Sequence, residues 1–286
     1  MSTQVICTET NRVNAMNKLR LVGLASMFLM VSTASSANVS VQPTCERIKA
    51  SGNAEYPPYL WREPDHPKRF NGAIAFLMED ISAYLGIEID LHYEGSWGRV
   101  QAEVAAGYID MITGAFFTTP RAEYMDYIYP EFQGTNTAVW VNKDKTFAYK
   151  EWKDLIPYQG ITVINNSFGE KFDEYAKQYL SIEEVGQLNQ GLGMLSLKRV
   201  DYLIYEENPG LAYIERQGIT NLEALPVKVS SENLYITISK KSSCNTPEIK
   251  QALSNIVAKF NQQGRMQWYL DRALKLWKQQ QKAAQK

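Results

Sequence analysis

Two stretches far apart in the chain follow one grammar, a helical pattern and then a short apolar strand entered through an aspartate. In the first, Trp97 to Ala106 reads as a helix stopped by Gly107, and Tyr108-Ile109-Asp110-Met111-Ile112-Thr113-Gly114 follows as a strand. In the second, helical Leu192 to Leu197 precedes Arg199-Val200-Asp201-Tyr202-Leu203-Ile204-Tyr205-Glu206. A helix feeding a neighbouring strand is the βαβ unit, so a chain carrying it twice is constrained to an α/β fold with mainly parallel sheets. Other runs agree. Phe76, Leu77, Ile81, Tyr84 and Leu85 recur at helical spacing up to Gly86, and the strand-like Ile87 to Tyr93 comes next.

Between the two modules, strand-like Ala138 to Val141 runs into polar Asn142 to Lys145, the expected crossing from one lobe to the other. A second strand-like run, Leu234 to Ile238, crosses back before Lys240-Lys241-Ser242-Ser243-Cys244. The lobes are therefore expected as 38–140 plus 234–286 for the first and 141–233 for the second. A late helix is marked by Thr246 as its cap, Pro247 at its first position, Ile249, Leu253, Ile256, Val257 and Phe260 as its apolar face, and Gly264 at its end. After it, Met266 to Trp277 reads as a last helix fading into a frayed Lys/Gln/Ala tail.

The N-terminal segment stands apart from this pattern. Asn17, Lys18 and Arg20 precede the apolar run Leu21 to Val31, and small residues Ser32 to Ala37 follow, the layout of a secretory signal over 16–37. Residues 1–15, ahead of Met16, read as an upstream extension. Of 30 Lys+Arg and 31 Asp+Glu in the whole chain, 27 and 30 remain after residue 37. That balance gives no field for nucleic acid or anionic lipid. Only Cys45 and Cys244 remain as well, and two cysteines in an oxidising compartment suggest a disulfide, with two buried thiols as the alternative.

The ordered signals resemble the extracytoplasmic solute-binding proteins, family 3, which deliver polar amino acids to ABC importers. The resemblance is carried by Tyr56-Pro57-Pro58-Tyr59, Gly72 and its helix, Trp97, Gly107-Tyr108-Ile109-Asp110 and Thr118-Thr119-Pro120-Arg121. Asp154-Leu155 before Gly160-Ile161-Thr162-Val163, and Asp201 with an acidic residue five positions on, complete it. It implies a type II periplasmic-binding fold: two Rossmann-like lobes, two hinge strands and a cleft between them. It also implies a monomeric periplasmic protein that binds a small molecule and docks on importer membrane subunits, with no cofactor and no catalysis. Cys45 paired with Cys244 resembles one subgroup. The sequence departs from the pattern at Lys198, where a glycine is usual, at Glu206, where an aspartate is usual, and in the loop Asn165-Asn166-Ser167-Phe168-Gly169.

An amino acid carries a carboxylate and an ammonium on one carbon, so its site needs a cation and a carboxylate together. Arg121 lies beside a helix start expected to be capped by Thr119, and its planar fork suits a carboxylate. Glu206 ends the second module's strand, on the sheet edge where α/β proteins bind ligands, and is the expected ammonium acceptor. Tyr56, Tyr59 and Trp97 would form an aromatic wall. Gly114 and Phe116 would offer backbone groups, and Ser167 and Phe168 belong to the facing loop. From position alone the plainer alternatives are a solvated arginine, a solvated loop glutamate and ordinary core packing for the aromatics. Arg99 is a weaker anion candidate, and Asp110 and Asp201 read as structural turn residues. His66 and His92 form no metal-binding spacing, and neither a Gly-x-Ser-x-Gly elbow nor a phosphate loop appears. The same fold also serves exported dehydratases and sensory inputs of receptor kinases, which stand as alternative functions.

Overall fold

A computed structural model describes residues 45–284. The expected extension, the expected signal segment and the chain up to residue 44 lie outside the described residues. The chain begins with β1 (Arg47–Ser51) and a small antiparallel sheet of β2 (Glu55–Tyr56), β3 (Leu60–Arg62) and β4 (Phe70–Asn71). There follow α1 (Ala73–Leu85), β5 (Glu88–Leu91), α2 (Trp97–Ala106), β6 (Met111–Phe116) and the four-residue α3 (Thr119–Ala122). The long β7 (Met125–Asn142) leads to β8 (Gln159–Val163), α4 (Glu170–Tyr179), β9 (Ser181–Val185) and α5 (Leu188–Ser196). Then come β10 (Tyr202–Glu206), α6 (Glu207–Gln217), the long β11 (Leu222–Ser239), α7 (Pro247–Gln262) and α8 (Arg265–Ala284).

The main sheet has the order β5-β1-β6-β11-β7-β10-β8-β9. Strands β5, β1 and β6 are mutually parallel, as are β9, β8 and β10, so each lobe is a small parallel sheet flanked by helices. Strands β7 and β11 pair antiparallel along both lobes and are the hinge strands. The beginning of β7 pairs with the end of β11 at Met125 and Ser239, while Thr137 to Val141 of β7 pair with β10. Register shifts near Ala224, Lys228 and Leu234 bend this ribbon where it passes between the lobes. Side chains before residue 133 and after 233, joined by Ala212 of α6, build one pair of cores, and others from Ala138 to Val229 build another.

The repeated aspartates explain how both lobes start a strand. Asp110 donates its N–H to the Lys49 carbonyl (2.9 Å), and its carboxylate accepts the Lys49 N–H (2.9 Å). Asp201 makes the same two bonds with Gln159, at 2.8 and 2.9 Å. Each aspartate thus pins a strand to its parallel neighbour before the ladder begins, as expected of a structural turn residue.

Helix ends follow the sequence closely. Gly86 and Gly107 end α1 and α2 in the left-handed region, and Thr246 accepts the Ile249 N–H (3.3 Å) to cap α7. Gly72, at φ 130°, opens α1 so tightly that a Cβ would lie 2.2 Å from the Tyr59 carbonyl oxygen. Tyr84 lies in α1 as read, half exposed, with its ring a cation platform for Lys259 and Arg265. One expectation needs correction. The Lys/Gln/Ala tail stays helical to Ala284, because Trp277 is buried and Gln280 is hydrogen-bonded. Cys45 and Cys244 are joined as a disulfide across 199 positions, tying the first described residue to the segment that follows β11.

Candidate functional site

Strand β6 ends at Phe116, and the chain turns into α3 through Thr118. Thr118, one residue before the expected Thr119, is the cap: its hydroxyl oxygen accepts the Arg121 N–H (3.3 Å), with Pro120 in the first turn. Thr119 instead donates its hydroxyl to Glu170 of the facing lobe (3.0 Å). Because the Arg121 amide is already occupied and α3 is one turn long, anion binding here falls to the guanidinium rather than to free helix amides.

That guanidinium is held from three sides and is only 6% exposed. It donates from Nη1 to the Phe116 carbonyl (3.3 Å), from Nε to Gln101 Oε1 (3.2 Å) and from Nη2 to the Asn165 carbonyl (3.4 Å). It also lies 5.4 Å from the Trp97 ring centroid. Five N–H groups less these three leave one on each terminal nitrogen for a ligand. Among the described residues, no carboxylate reaches ion-pair distance of Arg121. A buried charge without a counter-charge costs several kcal/mol.

Glu206 is its mirror image. It is the last residue of β10, pairs with Thr137 of the hinge strand and is 4% exposed. Its Oε2 is buried with no hydrogen-bond partner. Burial drives this carboxyl up to about 7, against the downward pull of its own backbone N–H, the Tyr56 hydroxyl and the Arg121 charge. The Tyr56 hydroxyl lies beside it, near enough to pull on the carboxyl but without the geometry of a completed hydrogen bond. Asn166 Nδ2, from the facing loop, is likewise buried and unpartnered.

Tyr56, Trp97, Gly114, Phe116, Arg121, Ser167 and Glu206 line one cavity of about 310 Å³, measured out to its mouth. The structure does not bring Tyr59 or Phe168 to it. Tyr59 is fully buried behind Tyr56, at 5.2 Å between ring centroids, and its hydroxyl accepts from Asn208 (2.8 Å). Phe168 turns into the second lobe's core against Phe172, while Ser167 donates its hydroxyl to Asp173 and accepts the Gly169 N–H (3.3 Å). The Phe116 carbonyl is taken by Arg121 and by the Tyr127 hydroxyl (2.8 Å). Arg99 lies outside the cavity, exposed and paired with Glu103 (3.5 Å).

Asn53, Asn166 and Leu234 line the same cavity and were not foreseen. Asn53 follows β1 at its carboxyl end, the position that the rule for open α/β sheets would have flagged. Asn53 and Trp97 also border a second hollow, about 560 Å³ with its solvent mouth included, that is lined by Glu55 and Arg62.

Both lips of the cleft are shut in this structure. On one side Asn165 takes Arg121 and Gln101, and Gly98 sits so near that a Cβ would come within 2.3 Å of Asn165 Nδ2. On the other, Glu55 accepts the Leu188 N–H (3.2 Å), and the Tyr205 hydroxyl donates to the Glu55 carbonyl (3.1 Å).

Two lobes closed over a cavity that holds a buried guanidinium and a buried carboxyl, neither with an ion-pair partner among the described residues, define a two-lobed ligand-binding protein. The sequence matches the bacterial extracellular solute-binding proteins, family 3, over residues 48–275, and the chain belongs to that family. Solved structures agree on the fold. An amino acid ABC transporter substrate-binding protein, AbpA, from Streptococcus pneumoniae bound to L-arginine is similar at TM-score 0.68 and 19% identity, covering 81% of this chain and 96% of its own. A histidine kinase sensor domain with similarity to periplasmic binding proteins gives TM-score 0.69 and 18% identity, covering 80% and 96%. A mutant of ArgBP from T. maritima gives 0.67 and 15%, again covering 80% and 96%. No curated protein matches the sequence. Among the described residues, no helix is long and apolar enough to cross a membrane.

Proposed function

We propose that this chain captures a small amino-acid-like ligand by hinge closure, in the periplasm, and passes it to an ABC importer. One observation carries the reading: the cavity holds a buried guanidinium and a buried carboxyl that lack partners of opposite charge. A zwitterion supplies both counter-charges at once. In this reading Arg121 takes the ligand carboxylate and Glu206 its ammonium. Tyr56 and Trp97 cover its carbon skeleton, and Asn166 donates to it from the second lobe. The first lobe is 38–140 with 234–286, the second is 141–233, and the change of lobe is absorbed along β7 and β11. Ligand contacts made by both lobes favour the closed arrangement by their differential affinity for it. The amino acid carried by the S. pneumoniae relative makes L-arginine a first candidate.

A thermal-shift screen of the amino acids and small carboxylates tests this, since a ligand that binds only the native state raises its melting temperature. The reading requires a hit that carries both an ammonium and a carboxylate and that is lost in Arg121→Ala. No shift with any of them at millimolar concentration would overturn it.

The similarity to a histidine kinase sensor domain favours a second reading, in which the loaded lobes signal to a receptor instead of feeding an importer. Permease and ATPase genes beside this one would separate the two.

A further inference from the structure

Helix α8 runs to Ala284, past residue 275 where the family match ends, and its last turns touch both lobes. Trp277 is 2% exposed, and its ring stands edge-on to Trp61 of β3 with centroids 5.2 Å apart. One turn on, Gln280 Oε1 accepts the Trp61 Nε1–H (2.8 Å). Trp61 belongs to the small first-lobe sheet that carries Glu55 and Tyr56, and pairs directly with Glu55. On its other side the Trp277 ring meets α6 of the second lobe, with the Tyr213 centroid 6.1 Å away and the Arg216 guanidinium 5.6 Å away. Helix α6 begins at the residue after Glu206.

We infer that Trp277 and Gln280 are positioning residues for ligand capture, riveting β3 of the first lobe to α6 of the second and so favouring the closed arrangement. The geometry leaves no neutral way to open. When the lobes part at the Glu55–Leu188 lip, Trp277 stays with Trp61 on the first-lobe helix and must leave Tyr213 and Arg216. Opening of this kind therefore breaks an aromatic and cation–π cluster that spans the two lobes. Without that cluster the lobes would part more easily, and the binding-competent fraction would fall, with apparent affinity falling in the same proportion. The charge pattern adds to the bias, because Arg216 also acts on Glu55, the carboxylate that closes this lip. This role rests on the hinge-closure reading above, but it concerns the lobe equilibrium and not the ligand's identity.

The experiment places spin labels at cysteines substituted for Glu123, exposed at the end of α3 in the first lobe, and Gln178, exposed on α4 in the second. Interlobe distances are then measured in the ligand-free full chain. Trp277→Ala is expected to lengthen the distance and lower the closed fraction about two- to tenfold, the worth of one aromatic contact. Trp277→Phe should recover most of it, and Gln280→Ala should show a smaller change in the same direction. Affinity for L-arginine should fall by the same factor as the closed fraction. Unchanged distances with only a lower melting temperature would reduce Trp277 to a packing residue and overturn the inference. If Trp277→Ala does not fold, Trp277→Phe and Gln280→Ala decide it by the same distances. If the wild type does not bind L-arginine, that counts against the ligand assignment alone, since the distances still judge the rivet.

Discussion

The Glu206 carboxyl, on the last residue of β10, and the Tyr56 hydroxyl, at the end of β2, lie side by side inside the closed cleft, and neither Glu206 Oε2 nor the Tyr56 hydroxyl completes a hydrogen bond. The pair is built from both lobes. It therefore reports on closure and on ligand charge together.

An ammonium requires an ionised Glu206, whose carboxyl sits at about 7 in the ligand-free protein. Below that pH a proton must leave on binding. Affinity should rise about tenfold per pH unit up to neutrality and then level off. Calorimetry in buffers of different ionisation heat should show proton release at pH 6 that vanishes in Glu206→Gln. The same shift acts on the empty protein with the opposite sign. The folded state holds this proton more tightly than the unfolded chain, whose carboxyl is near 4.5, so the contribution of Glu206 to stability is lost as pH climbs from 4.5 to about 7. Relative to Glu206→Gln, the wild type should lose up to roughly 3 kcal/mol across that window in urea titrations.

Arg121→Ala should weaken ligand binding by about 2–5 kcal/mol, the range for removing one partner of a buried charge pair. Arg121→Lys should recover little, because an ammonium cannot reproduce the fork that bonds Phe116, Gln101 and Asn165. Titration calorimetry reads both, with circular dichroism confirming that the variants are folded.

Gly72→Ala places a Cβ against the Tyr59 carbonyl and forces a non-glycine residue to φ 130°. Backbone strain and overpacking together predict a loss of roughly 2–5 kcal/mol in denaturant unfolding. Since Tyr59 backs the Tyr56 ring, affinity should fall as well.

Lys198 holds a left-handed conformation at φ 56° just beyond α5, at the position where the family pattern has glycine. Lys198→Gly should raise stability by about 1 kcal/mol, as the steric cost of the left-handed region disappears. The lysine's exposed ion pair with Asp144 contributes little against this.

The local rules carried most of the fold. Trp97 to Ala106 with Gly107, and Thr246-Pro247 to Gly264, could be read residue by residue because caps, glycine stops and apolar spacing are local properties. The full length of β7 and β11 was not legible, since a long ribbon serving two lobes is apolar only where each lobe covers it. Arg121 and Glu206 were visible as charges next to strand and helix ends. Side-chain direction was not: Tyr59 and Phe168 are aromatic neighbours of cavity residues, yet the backbone aims both into cores. The helical order of the tail is hidden from the sequence for a related reason, as the partners of Trp277 and Gln280 lie far away in the chain.

The Cys45–Cys244 bond closes a covalent ring that contains the entire second lobe and the whole of both hinge strands. A protease that cuts an exposed loop of that lobe therefore does not divide the protein into separable pieces. The nicked chain would migrate as one species without reductant and as two fragments with it, so damage at the cleft's lip need not release half of the clamp.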